Sequence, residues 1–193
     1  MKKTSFILAA FAITLMSFVT LAPATWTLDK AHSNLRFSIT SLMISEVEGS
    51  FKMTEATINA PKEEDFADAV VNMVADVNSV DTNEPDRDKH LKTADFFDAE
   101  KYPNIVFKSS RFEKLSDKKY KVTGDLTLHG ITKQVVLDAS VNYGTHPMSK
   151  KTLAGFKISG TIKRTDFGIA ATTPAAMLGD EVLIVANAQF AKN

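Results

Sequence analysis

The sequence contains no cysteine in its 193 residues. Disulfide bonds and a thiol nucleophile are therefore excluded, and so is a lipoprotein anchor, which needs a cysteine to carry the lipid. A folded domain of this chain has to be held together by packing and hydrogen bonds alone.

The sequence also lacks an excess of charge of either sign. Its 23 basic residues balance its 23 acidic residues, so the formal net charge is +0. Loss of Lys2 and Lys3 with an N-terminal leader would leave 21 basic and 23 acidic residues, a net charge of −2. We expect no nucleic-acid partner, because binding to phosphates depends on a surplus of lysine and arginine.

The N-terminal residues have the pattern of a secretory signal peptide. Lys2 and Lys3 precede an uncharged run over residues 4–21, and Ala22-Pro23-Ala24 fits the small-x-small cleavage pattern. An uncleaved anchor is the alternative, since a membrane helix needs roughly 20 apolar residues. The small residues and the absence of a basic flank favour cleavage after Ala24. We predict a periplasmic protein with a signal peptide over 1–24, one domain over 25–193, and no stable membrane span after cleavage; a homodimer stays open.

Apolar and polar residues alternate along most of the remaining chain, as in Leu35, Phe37 and Ile39. This period of two is typical of strands with one buried face and one exposed face. Eight or nine such runs, joined by short turns and interrupted by one helix, predict an all-β fold: an antiparallel eight-stranded barrel of lipocalin-like form. A two-sheet sandwich is the alternative. Long strands favour the barrel, and so do the glycines inside them, Gly49, Gly124, Gly155 and Gly160.

Residues 78–109 interrupt the alternation. Asn83 is predicted to cap a short helix whose first turn holds Pro85, Asp86 and Asp88, because acids and proline suit a helix N-terminus. The apolar side of this segment consists of Leu91, Ala94, Phe96 and Phe97. We predict that residues 86–97, called the plug segment below, lie across the open end of the barrel. Of Phe96 and Phe97, one should face the ligand and the other anchor the helix, since adjacent helical residues point about 100° apart. The stretch over residues 62–67, KEEDFA, is interpreted as a polar connection between strands.

Six stretches of the chain occur in an order and spacing that resemble a known family: WTLDKAHSNLRFSIT, VEGSF, NSVDTNEPDRDKHLKTADFFDAEKYPNIVFKS, GDLTLHGITKQV, RTDFGI and LGDEV. They resemble the YceI-like, polyisoprenoid-binding family over nearly the whole mature length. The resemblance implies a lipocalin-like barrel whose apolar interior holds an isoprenoid or other lipid chain, usually in a periplasmic protein. One position departs: residues 37–42 read FSITSL, with Ser41 where the family commonly has a histidine. Serine can form a hydrogen bond but carries no charge.

Residue chemistry gives little support to an enzyme. The four histidines, His32, His90, His129 and His146, show no metal-ligand spacing, and no G-x-S-x-G motif accompanies Ser33. His90 is the best candidate for a functional histidine, because it lies beside Arg87, Asp88 and Lys89; a surface ion pair is the alternative. Arg164 and Asp166 are predicted to form a charge pair at the end of a strand.

These observations predict a non-enzymatic carrier that takes up a long-chain isoprenoid or related lipid, with no cofactor, no metal and no catalytic residue. The expected ligand-binding residues are Phe37, Ile39, Phe51, Arg87, His90, Phe96, Phe97, Phe107, Leu126, Leu128, Phe156 and Phe167. Two alternatives are a hydrolase or other enzyme that acts on a lipid head group through His90, and a structural stress protein whose phenylalanines fill the barrel.

Overall fold

The structure, a computed structural model, describes residues 23–63 and 65–193. Its eight strands are antiparallel, each pairs with the next, and β1 pairs with β8, so the sheet is a closed barrel. The predicted eight-stranded barrel is confirmed, and the two-sheet sandwich is excluded. The strands are β1 Ala24–Ser41, β2 Ser45–Ala60, β3 Val70–Asp81, β4 Asn104–Ser116, β5 Lys119–Leu128, β6 Ile131–Thr145, β7 Thr152–Lys163 and β8 Leu178–Lys192. Of the predicted leader, only Pro23 and Ala24 are among the described residues.

One short α-helix, α1, spans Pro85–Leu91, and a 3-10 helix spans Arg164–Phe167. The predicted cap at Asn83 is wrong. Asn83 has a φ of 60°, and its neighbour Glu84 is the N-cap, whose carboxylate accepts hydrogen bonds from the backbone N–H groups of Asp86 and Arg87. Within the described ranges, no helix is long and apolar enough to cross a membrane.

The up-and-down order of the strands assigns every connection to one end of the barrel. The connections after β1, β3, β5 and β7 lie at one end, which we call the mouth; they comprise residues 42–44, 82–103, 129–130 and 164–177. The connections after β2, β4 and β6 lie at the opposite end, which we call the floor, together with the start of β1 and the end of β8. The plug segment is therefore part of the mouth, as predicted.

The floor is closed by a cluster of aromatic rings around Phe66, which is fully buried. Its ring centroid lies 4.8 Å from that of Phe156, 5.4 Å from that of Trp26 and 5.8 Å from that of Tyr143. The sequence-based interpretation of residues 62–67 as a polar connection missed this role. The acidic neighbour Asp65 faces outward and forms an ion pair with Lys114 at 3.4 Å, so a single phenylalanine turns inward from a charged stretch.

Gly49 and Gly124 leave room for aromatic side chains inside the barrel. A Cβ atom built at Gly49 would overlap the ring of Phe37, and one built at Gly124 would overlap the ring of Phe107. The glycines were predicted to allow bends in a curved sheet. At these two positions the structure gives a more specific reason, since the missing side chain is replaced by a phenylalanine from the neighbouring strand.

Arg164 is buried at the mouth, with 3% of its surface exposed. Its five N–H donors all point at backbone carbonyl oxygens, those of Ile169, Ala170, Thr173, Leu178 and Gly179, at 2.5 to 3.1 Å. The guanidinium thus satisfies carbonyl groups that the irregular chain between β7 and β8 leaves without partners.

The predicted charge pair between Arg164 and Asp166 is wrong. Asp166 is exposed, and the ion pairs formed by the described residues do not include one between these two side chains. A different carboxylate, that of Asp180, binds the 3-10 helix: it accepts hydrogen bonds from the hydroxyl and the backbone N–H of Thr165. The hydroxyl of Thr165 is the main cause that lowers the pKa of Asp180.

We expect Arg164→Lys to destabilise the protein by roughly 2 kcal/mol, because an ammonium group cannot reach five separated carbonyls and leaves several unpaired. Asp166→Asn should change stability by less than about 0.5 kcal/mol, as an exposed substitution without partners does. Urea unfolding, with the midpoint and slope fitted for both variants, measures the difference. Equal losses of stability for the two variants would indicate that Arg164 and Asp166 form a charge pair after all. They would contradict the role of Arg164 in binding backbone carbonyls.

Candidate ligand-binding cavity

The barrel interior is hollow. A cavity of about 450 Å³ extends from the mouth down to the aromatic floor, where Phe112, Phe156 and Phe190 are part of its lining. The wall is almost entirely apolar. Its polar members are few: Arg36, Ser41, Arg87, His90, Ser159, Arg164 and Thr173.

Seven predicted ligand-binding residues line the wall of this cavity: Phe37, Ile39, Phe51, Phe107, Leu126, Leu128 and Phe156. The alternation explains the agreement, because residues two apart in a strand share a face. Phe107, which is 6% exposed, pairs with Leu126 of β5, whereas its neighbour Val106 is 37% exposed on the outer surface. The predicted register of β4 and β5 is therefore correct.

Other lining residues were not singled out from the sequence, although the same alternation marks them. They come mainly from β2, β3, β6, β7 and β8: Met53, Met73, Val135, Leu137, Ile158, Val182, Ile184 and Ala186. Most are aliphatic, and the prediction favoured phenylalanines. The interior of the barrel is thus a mixed aliphatic and aromatic surface.

Phe167 is separate from this cavity. It is 1% exposed, it lies in the 3-10 helix, and its backbone carbonyl oxygen is 3.0 Å from Nδ1 of His129 in the turn between β5 and β6. It instead lines a separate, more polar hollow between β6 and β7. Phe167 thus packs between two connections of the mouth, residues 129–130 and 164–177.

Arg87 lines the mouth of the cavity and is held in place by Thr82. Its Nε donates to the hydroxyl of Thr82 and its Nη2 donates to the carbonyl oxygen of Thr82, both at 2.8 Å. The hydroxyl of Thr82 in turn donates to a carboxylate oxygen of Asp88 at 2.6 Å. This chain of hydrogen bonds fixes the side chain of Arg87 and leaves its Nη1 without a hydrogen bond among the described residues.

Phe96 and Phe97 both line the cavity, although they were predicted to divide between ligand and helix contacts. The prediction assumed that the helix continues through them, whereas α1 ends at Leu91 and turns follow. The ring of Phe97 meets the ring of Phe51 edge-on at 5.3 Å. The ring of Phe96 meets the ring of His90 edge-on at 4.8 Å. The plug segment therefore covers the mouth with two aromatic rings.

His90 and Ser41 supply polar groups at the mouth. His90 is exposed and lines the cavity, and in the described part of the chain its ring contacts Phe96 and no carboxylate. The surface ion pair offered as its alternative role is absent there. Ser41, at the end of β1, also lines the cavity. Arg164 lines it as well but has every donor engaged, whereas Arg87, His90 and Ser41 are among the groups at the mouth able to bind a polar ligand atom.

The other three histidines have structural partners. Nδ1 of His32 lies 2.9 Å from a carboxylate oxygen of Asp29, within an irregularity of β1, and this contact is the main cause that lowers the pKa of Asp29. Nδ1 of His146 accepts hydrogen bonds from two backbone N–H groups in its own loop. Across residues 23–63 and 65–193, no cluster of three His, Cys, Asp or Glu side chains could hold a metal ion.

Comparison with solved structures extends the description of the fold. A Campylobacter jejuni YCEI protein is 34% identical, with a TM-score of 0.71 over 78% of this chain and 87% of that one. A polyisoprenoid binding domain from Saccharophagus degradans is 15% identical, with a TM-score of 0.65 over 87% of this chain and 98% of that one. At that identity the likeness shows the fold alone.

Sequence comparison gives the family. Protein YceI of Escherichia coli O157:H7 is 37% identical over 191 residues, which cover 97% of this chain and 98% of that protein. The model of the YceI-like domain matches residues 26–190, from the buried Trp26 of the floor to Phe190 in β8. The barrel, its apolar cavity and the covered mouth are thus those of a protein that belongs to the YceI-like family.

Proposed function

We propose that the protein is a periplasmic carrier that holds one long apolar chain, an isoprenoid or a related lipid, inside the barrel. The observation that carries this proposal is the cavity of about 450 Å³ with an almost wholly apolar wall. Its volume lies within the roughly 300–1,000 Å³ of small-molecule sites. Transfer of a hydrocarbon chain from water into such a wall contributes about 0.8 kcal/mol per methylene before ordering costs.

The distribution of polar groups supports a ligand with its tail at the floor and its head at the mouth. The floor consists of aromatic rings, and Phe112, Phe156 and Phe190 face the cavity there. Arg87, His90 and Ser41 lie at the mouth, where they can donate hydrogen bonds to a phosphate or carbonyl oxygen. A polyisoprenoid, which combines a long branched chain with a small polar end, fits this division, and the same fold serves a polyisoprenoid binding domain in Saccharophagus degradans.

The two alternatives gain less support. A barrel filled by its own phenylalanines would leave no interior space, whereas this one has about 450 Å³. An enzyme that uses His90 as an acid or base needs a second group to orient the imidazole, and in the described residues its ring contact is with Phe96. Binding without catalysis therefore agrees better with the arrangement of the site. The periplasmic location rests on the leader, which lies almost wholly outside the described residues.

We expect Phe107→Asp to abolish lipid binding and to lower stability by several kcal/mol, because an unpaired carboxylate would face the apolar cavity. Val106→Asp is the matched control, since it places the same charge one residue away on the outer surface. Native mass spectrometry of the gently purified proteins shows the retained lipid, and thermal melting measures stability. Lipid retained by the Phe107 variant but lost by the Val106 variant would mean that the two faces are exchanged.

Phe51→Asp should behave as Phe107→Asp does. Phe51 is 5% exposed, lines the cavity from β2 and packs against Phe97 of the plug segment. We expect loss of the lipid together with a melting temperature several degrees lower, as a core change of about 2 kcal/mol or more produces in a domain of this size. Intact lipid at an unchanged melting temperature would show that Phe51 does not face the ligand.

Head-group recognition at the mouth is tested by two ligands of equal chain length, geranylgeranyl phosphate and the hydrocarbon phytane. His90→Ala and Arg87→Ala should weaken the phosphate roughly fivefold and leave phytane unchanged, and the loss should shrink at high salt. Phe97→Ala should weaken both ligands roughly tenfold through lost apolar contact.

Lys89→Ala is the control for these variants. Lys89 lies on the same helix, forms an exposed ion pair with Asp86 at 3.2 Å and does not line the cavity. Titration by quenching of intrinsic fluorescence measures each affinity. Equal losses for both ligands in the Arg87 and His90 variants would make the plug segment a structural brace without a role in head-group recognition.

A further inference from the structure

The hairpin turn between β1 and β2 exposes three consecutive apolar side chains. Leu42, Met43 and Ile44 are 56%, 72% and 86% exposed. Met177, from the connection between β7 and β8, is 56% exposed beside them, because the backbone N–H of Leu42 donates to the carbonyl oxygen of Met177 at 3.0 Å. We call these four residues the apolar tip.

The backbone conformation of the turn does not favour apolar residues at these positions. Leu42 and Met43 have φ angles of 51° and 59°, in the left-handed region. Consecutive left-handed residues in a hairpin turn favour asparagine and glycine, which adopt this region at lower cost. The chain therefore carries apolar side chains where both the backbone conformation and exposure to water disfavour them, which indicates a contact outside the barrel.

The apolar tip is continuous with the wall of the cavity. Ser41, immediately before the turn, lines the cavity, and so do Met177 and the adjacent Leu178. The turn between β1 and β2 is also one of the connections that form the mouth. An apolar surface thus runs from the interior, past the rim, to the outside of the protein at the end where a ligand would enter.

Charge near the apolar tip favours a neutral partner. Neither residues 37–51 nor residues 171–181 contain a lysine or arginine, and the nearest charged residues along the chain are acidic: Glu46, Glu48, Asp180 and Glu181. The cations of the plug segment lie at the same end but share it with Asp86, Asp88 and Asp95. A surface bound through phosphate charge would need an excess of basic residues around the contact.

The size and shape of the apolar tip favour a bilayer over a second copy of the chain. A stable dimer buries roughly 800 Å² on each partner, more than one three-residue turn and a neighbouring methionine supply. A convex turn of leucine, isoleucine and methionine can insert between lipid head groups without a complementary groove.

We propose that the apolar tip inserts into the surface of a zwitterionic lipid bilayer and holds the mouth against it while an apolar chain passes between membrane and cavity. This inference rests on the proposed carrier function, since a protein without a lipid cargo has no use for a mouth held at a bilayer. The partner is thus a membrane surface, and the lipid passes directly between the membrane and the cavity.

The test uses the triple variant Leu42→Asn, Met43→Gly and Ile44→Thr. Asparagine and glycine suit the left-handed turn, so the hairpin should be retained while the apolar side chains are removed. Met148→Ser is the matched control: Met148 is 87% exposed, in the connection between β6 and β7 at the floor. The N-terminus of each purified protein is first established by mass spectrometry, because a retained leader would itself bind vesicles.

Flotation with phosphatidylcholine vesicles measures membrane partition, and binding of cis-parinaric acid added from ethanol measures cavity occupancy. The triple variant should partition about tenfold less than the wild type while binding cis-parinaric acid equally, and Met148→Ser should match the wild type in both assays. Transfer of cis-parinaric acid from preloaded vesicles should slow to a similar degree.

Equal partition of the triple variant and the wild type would overturn the inference. It would also be overturned if the variant lost only self-association in sedimentation velocity, which would make the apolar tip a dimer contact. A wild type that binds no cis-parinaric acid in solution would instead contradict the carrier function, and the vesicle assay would still report on the apolar tip by itself.

Discussion

The pairing of β1 with β8 is the contact on which the rest of the structure depends, because it closes the sheet. In a closed sheet every strand has a neighbour on both sides and no open edge remains. The wall is thereby held in place by backbone hydrogen bonds and needs no disulfide. Such a wall surrounds about 450 Å³ of apolar space. At the roughly 24 cal/mol per Å³ found for engineered cavities, that space would cost on the order of 10 kcal/mol, as much as the whole stability of a typical domain.

The two ends of the barrel are closed in different ways. At the floor, a cluster of aromatic rings closes the barrel, with Phe66 at the centre. At the mouth, Arg164 satisfies the carbonyls of an irregular connection from within, and the plug segment covers the opening with rings that belong to turns rather than to a helix. A rigid floor and a mouth held largely by hydrogen bonds give the cavity one end at which a ligand can enter.

Period-two alternation, together with the length of the strands and the glycines inside them, was sufficient to predict the strands, the closure into a barrel and part of the cavity wall. It could do so because burial on one face of a strand is a property of consecutive residues. Contacts set by tertiary structure were not predictable in this way. Phe66 stands in an acidic stretch and is buried only because the barrel brings Trp26 and Phe156 to the same end. Arg164 donates to carbonyl oxygens of its own connection and of the start of β8 rather than to the nearby Asp166. Glu84 is the cap instead of Asn83 because Glu84 has the extended backbone of an N-cap, whereas Asn83 lies in the left-handed region.

The proposed orientation of the ligand, with its tail at the floor and its head at the mouth, determines the order in which its parts would enter the cavity. A lipid in a bilayer keeps its head at the surface and its tail inside, whereas the proposed bound ligand has its tail at the floor, far from the mouth. With the mouth held at the membrane, the tail has to leave the bilayer first and the head has to follow. Passage of a bare tail through water would expose the whole chain, at about 0.8 kcal/mol per methylene. The continuous apolar surface from the apolar tip through Met177 and Leu178 into the cavity would lower this barrier, since successive segments of the tail could remain in contact with apolar side chains.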